Sequence, residues 1–160
     1  DDKPDWENRN PSSSGGPGSI IITTPSPSSS SYYWKQFSDG SWYWTNGRSN
    51  YTGWQEVDGR WYYLRPGENG RMAAGWEYVD GHYYYLNRVH DGTYGAMLAG
   101  WQWIDGEYYY LNPVHDGTYG RMLTGWQWYN GNRYYFYGNG KMARNTWQDG
   151  VYLNSNGVAQ

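Results

Sequence analysis

Four tryptophans, each directly after a glycine, stand at positions 54, 76, 101 and 126, and each is followed by a run of three or four consecutive aromatic residues. The lines read GWQEVDGRWYYL (53–64), GWEYVDGHYYYL (75–86), GWQWIDGEYYYL (100–111) and GWQWYNGNRYYF (125–136), aligning without a gap. A looser copy, YWKQFSDGSWYW (33–44), precedes them, and a truncated one, TWQDGVYLN (146–154), follows. The chemistry of such a set belongs to ring faces, which are electron-rich and attract cations or stack on flat apolar faces. Acid–base chemistry has little to work with. Asp39, Asp58, Asp80, Asp105 and Asp149 fall in turn dipeptides, and Glu56, Glu68, Glu77 and Glu107 are scattered. Glycoside hydrolysis needs two carboxylates across one cleft, and no Ser-His-Asp set or P-loop is visible. His90-Asp91 and His115-Asp116 invite a metal reading, but duplication of the repeat accounts for them. No enzyme and no cofactor are expected of this chain, and any catalytic domain would lie elsewhere in a longer parent protein.

Composition narrows the rest. Among 160 residues there are 12 Trp and 20 Tyr but few aliphatic side chains, and the mean hydropathy is −1.02. A globule of this length normally buries an aliphatic nucleus, so an elongated fold with local burial is expected. No stretch approaches the roughly 18 apolar residues of a membrane span. A net charge of −3 with dispersed basic residues argues against a nucleic-acid partner. Without cysteine, disulfides and thiolate metal sites are excluded, while an extracellular location is not. The chain opens at Asp1 without Met or signal peptide, the look of a mature product or a fragment.

The elements that position the rings follow from the repeat. Residues 1–31, rich in Ser, Pro and Gly, read as a flexible linker. Within it, Ile20 to Thr24 form a short β-favouring island. From residue 32 to 160 a repeat domain is expected, with units near 32–52, 53–74, 75–99, 100–124, 125–144 and 145–160. The tryptophans at 54, 76, 101, 126 and 147 are 21 to 25 residues apart, a solenoid spacing, and the atypical outer copies suit caps. Asp-Gly or Asn-Gly at 58–59, 80–81, 105–106, 130–131 and 149–150, and at 39–40 in the first copy, marks the centre of a β-hairpin. After each full hairpin a second Gly-containing turn leads to Met. The fold class is therefore all-β, a solenoid of stacked β-hairpins.

Pairing outward from Asp58-Gly59 sets Glu56 opposite Trp61 and Trp54 opposite Tyr63. Alternation then puts Trp54, Trp61 and Tyr63 on one face and Tyr62 and Leu64 on the other. In a stack, Trp54 and Trp61 face Tyr84, Trp76 and Tyr83 face Tyr109, and Trp101 and Tyr108 face Tyr134. Three rings meeting at angles leave a slot suited to a quaternary ammonium group; the same rings can also pack on one another as core.

This pattern resembles the choline-binding, or cell-wall-binding, repeats of Gram-positive surface proteins and phage lysins, over about residues 32 to 160. The resemblance implies choline cages between consecutive hairpins, with Trp34, Trp42 and Tyr62 as a further set and Met72, Met97 and Met122 as candidate fourth walls. It implies a secreted, wall-associated attachment module whose partner is choline on teichoic or lipoteichoic acid, with end-to-end pairing of chains as an open partner mode. Arg133 breaks the pattern, standing where the first hairpin aromatic belongs. Copies two and three carry longer connections, LNRVHDGTYG and LNPVHDGTYG, which can bring Tyr94 and Tyr119 over a slot. Related repeats in glucan-binding and toxin tails make a carbohydrate ligand the rival expectation.

Overall fold

The Asp-Gly or Asn-Gly pairs at 58–59, 80–81, 105–106, 130–131 and 149–150 each close a two-residue hairpin turn in the computed structural model, which describes residues 31–160. The φ values are 50° and 77° at Asp58-Gly59, 49° and 84° at both Asp80-Gly81 and Asp105-Gly106, and 47° and 77° at Asn130-Gly131. Positive φ at both positions is the type I′ geometry, whose twist matches that of the flanking strands. The expected linker and its Ile20–Thr24 island lie outside the described residues, apart from Ser31.

The strands are β1 (Tyr33–Gln36), β2 (Trp42–Thr45), β3 (Gly53–Val57), β4 (Arg60–Arg65), β5 (Arg71–Met72), β6 (Gly75–Val79) and β7 (His82–Leu86). They continue as β8 (Gly100–Ile104), β9 (Glu107–Leu111), β10 (Gly125–Tyr129), β11 (Asn132–Phe136), β12 (Thr146–Gln148) and β13 (Val151–Leu153). The only helical element among the described residues is a 3-10 turn at Pro66–Glu68. Every strand pairs with a neighbour in sequence, antiparallel. The chain is all-β, a series of consecutive hairpins. Two compact units divide it, one ending at Leu98 and the other running Ala99–Gln160, with three hairpins in each.

The register agrees with the turn-centred pairing: Trp54 opposite Tyr63, Gln55 opposite Tyr62, Glu56 opposite Trp61 and Val57 opposite Arg60. Near the end of the second strand stands a fully buried anchor, Leu64 and Leu86 in the first unit and Leu111, Phe136 and Leu153 in the second. Each such side chain contributes about 1.5–3 kcal/mol by leaving water. Opposite it sits the residue that follows the second turn: Met72, Met97, Met122 and Met142 face Leu64, Leu86, Leu111 and Phe136. The backbone of that residue also reaches the preceding hairpin. Met97 N donates to Trp61 O (2.8 Å), Met142 N to Tyr108 O (3.0 Å) and Ala159 N to Arg133 O (2.8 Å). Within each unit, hairpins are thus stapled to their predecessors by main chain as well as by rings.

Methionine and glycine interlock in the same place. A Cβ on Gly95, Gly140 or Gly157 would collide with the thioether of Met72, Met122 or Met142 respectively. At these three turns glycine is favoured by the positive φ of 86°, 86° and 80° and by the methionine that lies against it.

The first copy corrects the sequence reading. Asp39-Gly40 does not form the expected two-residue turn, since Gln36 pairs with Trp42 and leaves 37–41 as the loop, with positive φ at Gly40 alone of the pair. Phe37 N donates to Ser41 O and Gly40 N to Phe37 O (2.9 Å each), and Asp39 Oδ1 accepts from Ser41 N. Loop 137–141 repeats this: Tyr137 N donates to Lys141 O, Gly140 N to Tyr137 O, and Lys141 N to Asn139 Oδ1. Asp39-Gly40 thus takes the turn form that elsewhere precedes Met, while the position that Met holds opposite the buried anchor is held in the first copy by Asn50, opposite Thr45. An aspartate that accepts from the residue two ahead favours this turn over type I′.

Candidate functional site

The first expected cage is filled. Trp34, Trp42 and Tyr62 are all buried, packed with Val57, Leu64, Met72 and Ala96 and flanked by Trp44, Tyr51 and Tyr94. Trp34 meets Tyr62 at 4.9 Å and Trp44 at 5.0 Å between centroids. This set is core because its three rings close on one another and on Met72. Tyr94 packs on this cluster and stacks on His90 (4.0 Å, 9°), so the longer loop seals the set.

In the next set Trp54 and Trp61 are half-buried and Tyr84 is fully buried, with Trp54 and Tyr84 at 5.0 Å and 70°. Met97 is joined to Trp61 by the main-chain bond described above. Of the third set, Trp76 and Tyr83 belong to one unit and Tyr109 to the other, and their grouping rests on the sequence pattern alone. Trp76 leans on Tyr85 at 4.9 Å, Tyr83 pairs with Tyr78 at 4.7 Å in the open, and Tyr109 is buried.

The fourth set forms an open pocket of 680 Å³. Trp101 stands nearly perpendicular to Tyr108 (6.2 Å, 85°) and to Tyr134 (4.9 Å, 71°), so two walls and a floor present ring faces or edges to one space. Trp103, Tyr129 and Met142 extend the apolar lining, and Arg144, Ser155 and Asn156 form its polar part. Tyr108 is 41% exposed and Trp103 55%, so the pocket is reached from solvent. The buried Trp101 Nε1 has no hydrogen-bond partner among the described residues. Ring packing, not hydrogen bonding, therefore sets its orientation, at a cost of about 1–3 kcal/mol. The methionine of this pocket is Met142, outside the expected Met72, Met97 and Met122. Met72 lies in the filled first set, and Met122 runs against Gly140.

One hairpin further, Arg133 holds the position of Tyr108. Its guanidinium carbon lies 4.2 Å from the Trp126 ring centroid and 5.9 Å from that of Trp128. Trp126 Nε1 donates to Asp149 Oδ2 at 2.9 Å. The ring that would be a cage wall here already faces a cation supplied by the chain.

The choline-binding repeat pattern of a protein family matches residues 51–93 and 98–147. The chain belongs to the choline-binding repeat family. CbpJ from Streptococcus pneumoniae TIGR4 is similar over 79% of this chain and 47% of its own, at 34% identity and a TM-score of 0.51. The modular autolysin LytC from Streptococcus pneumoniae shares 32% identity over 81% of this chain and 31% of its own, with a TM-score of 0.56. The multimodular pneumococcal cell wall endolysin from phage Cp-1, solved with choline, shares 26% over 89% and 40%, with a TM-score of 0.52. The chain thus spans less than half the length of each. No curated protein matches it in sequence.

Several lining residues of the open pocket lay beyond the sequence reading. Met142 carries the Gly-x-Met signal of its repeat and could have been found by it. Arg144, Ser155 and Asn156 carry none, because they come from irregular segments after β11 and β13.

Proposed function

We propose that this choline-binding repeat chain is a non-catalytic attachment module that holds choline on teichoic or lipoteichoic acid at a Gram-positive cell surface. The observation that carries the reading is the open pocket of Trp101, Tyr108, Tyr134 and Met142, whose lining holds no carboxylate. A trimethylammonium group has no N–H to donate, so ring faces serve it where hydrogen-bond acceptors would not. The Arg133 guanidinium over Trp126 supports it as well, since one slot of the array already takes a cation from within. The phage Cp-1 endolysin, to which this chain is similar, was solved in complex with choline. One cage of three rings at about 0.5–2 kcal/mol each corresponds to millimolar-order binding. End-to-end pairing of chains would lengthen the array, and solution mass measured with choline present tests it.

A glycan reading has exposed Trp103, Trp128 and Trp147 in its favour, as rings open to stacking on sugars. Titrations of choline and of a glucan, followed by tryptophan fluorescence and melting temperature, separate the two. Choline is expected to shift both, because a ligand shared by two hairpins ties them together. Trp101→Ala is expected to remove the response of that pocket. A glucan response without a choline response would transfer the assignment to carbohydrate.

A further inference from the structure

A pocket of 420 Å³ in the first unit shares no residue with any cage. Loop 37–41 of the first hairpin and Tyr43 on β2 form one side, and Asn50 and Asn69 the other. Strand alternation turns Tyr43, like its cross-strand partner Lys35, away from the face that carries Trp34 and Trp44. Phe37 is 45% exposed and meets Tyr43 edge to face at 5.1 Å and 88°, giving the pocket an apolar corner open to solvent.

The polar groups are held by the fold. Asn50 Nδ2 donates to Asn69 O at 2.9 Å. A Cβ on Gly70 would strike Tyr51 O at 2.7 Å, so the turn at 69–70 is pressed directly on the segment at 50–51. Asp39 Oδ1 accepts from the Ser41 amide (2.9 Å) and hydroxyl (2.5 Å). Asp39 Oδ2, the Ser38 hydroxyl, Asn50 Oδ1 and the Asn69 carboxamide are left without a hydrogen-bond partner among the described residues. The Ser41 hydroxyl above all, with its amide and the Arg71 charge, holds the Asp39 carboxyl below its ordinary value, so Oδ2 is an anionic acceptor at neutral pH. A bare cation gains little here, because Lys35 Nζ already lies 5.1 Å from the Phe37 ring centroid and Arg71 acts on Asp39. Two rings facing amides, a hydroxyl and a carboxylate suit a neutral ligand with one C–H face and a rim of hydroxyls.

We propose that this pocket is a saccharide subsite for one neutral pyranose residue, with Phe37 and Tyr43 under its C–H face and Ser38, Asp39, Asn50 and Asn69 on its hydroxyls. The site stands apart from the choline reading and gives the first repeat, whose own rings are closed, a ligand of another class.

Loop 137–141 supplies substitutions that keep the turn, since it has the same form with Tyr137, Gly138 and Asn139 where the first loop has Phe37, Ser38 and Asp39. NMR of the whole chain, following the backbone amides of 38–41 and the side-chain amides of Asn50 and Asn69, reads the pocket. No tryptophan lines it, so this readout is separate from the fluorescence that compares choline with a glucan. The probes are methyl glucoside, methyl galactoside and methyl N-acetylglucosaminide, with sorbitol as an acyclic polyol. At least one glycoside should shift these signals with a dissociation constant on the order of 1–10 mM, and sorbitol should not. Ser38→Gly with Asp39→Asn should weaken binding about ten-fold, Phe37→Ala by about as much, and Phe37→Tyr should keep it; the indole N–H spectrum checks that each variant stays folded. Silence toward all three glycosides, an equal response to sorbitol, or a response that survives both Phe37→Ala and the paired loop change overturns the proposal. A shift of these signals by choline in place of the glycosides assigns the pocket to a cation and overturns it as well.

Discussion

Arg133 and Tyr108 occupy the same hairpin position, opposite Trp128 and Trp103 respectively, yet one offers a cation and the other a ring. The difference decides whether the adjoining slot is available. Replacing the guanidinium by an indole, Arg133→Trp, is expected to free the Trp126 face and add a weak choline site. That site would appear as a new choline-dependent shift of the Trp126 indole N–H and a higher stoichiometry by calorimetry. An unchanged Trp126 signal would mean that the missing methionine, replaced there by Ala159, matters more than the plug. Tyr62 makes a different point. Its ring is fully buried, its hydroxyl has no hydrogen-bond partner among the described residues, and burial pushes its pKa far above the ordinary phenol value. Tyr62→Phe should leave the fold intact and raise stability by up to about 1–3 kcal/mol, read from denaturant unfolding. A clear loss would show that the hydroxyl is satisfied in solution.

At the scale of elements, the longer connections are built around buried asparagines. Asn87 Nδ2 donates to Asp91 Oδ1 (3.1 Å) and Thr93 Oγ1 (2.7 Å), and Asn112 Nδ2 does so to Asp116 Oδ1 (3.2 Å) and Thr118 Oγ1 (2.6 Å). Hydrogen bonds from Thr93 and Thr118, above all, hold the two carboxyls below their ordinary value of 3.8. These groups bind protons more weakly folded than unfolded. Their stabilisation is therefore complete above that value and is lost as the pH falls through the lower folded one. Melting temperature measured between about pH 2 and pH 6 should drop on the acid side, and Asp91→Asn with Asp116→Asn should flatten that limb. The recurring His-Asp pairs are explained at this scale, since His90 and His115 stack on Tyr94 and Tyr119 while the aspartates organise the loops.

At the scale of the whole molecule, the proposed function makes repetition the means by which weak sites would add up to attachment. A polymer bearing choline at many positions should be held about 10²–10⁴-fold more tightly than free choline, through effective concentration alone. Surface plasmon resonance on a choline-bearing matrix measures it. Trp101→Ala alone should weaken retention modestly, whereas Trp54→Ala with Trp101→Ala should weaken it by far more than the single change. Equal retention of free and polymeric ligand would contradict an array mechanism.

Much of this was legible in the chain because its determinants are local. A two-residue turn and a period of two dictate which residues share a face, so the register from Trp54 to Leu64 needed no tertiary information. The dipeptide at 39–40 was ambiguous because Asp-Gly serves two turn types, and the Gln36–Trp42 pairing, with Asp39 accepting from Ser41, goes with the longer loop. Whether three rings enclose space or fill it was likewise undecidable from spacing. Trp34, Trp42 and Tyr62 close on themselves while Trp101, Tyr108 and Tyr134 stay open, although each set has its methionine, Met72 in one case and Met142 in the other; Tyr94 of the longer loop packs on the closed set, whereas Arg144, Ser155 and Asn156 line the open one. The sequence by itself determined the hairpins, their faces and the family. Tertiary structure decided which cages are open and what lies beside them, because packing volume depends on side chains brought together from separate repeats.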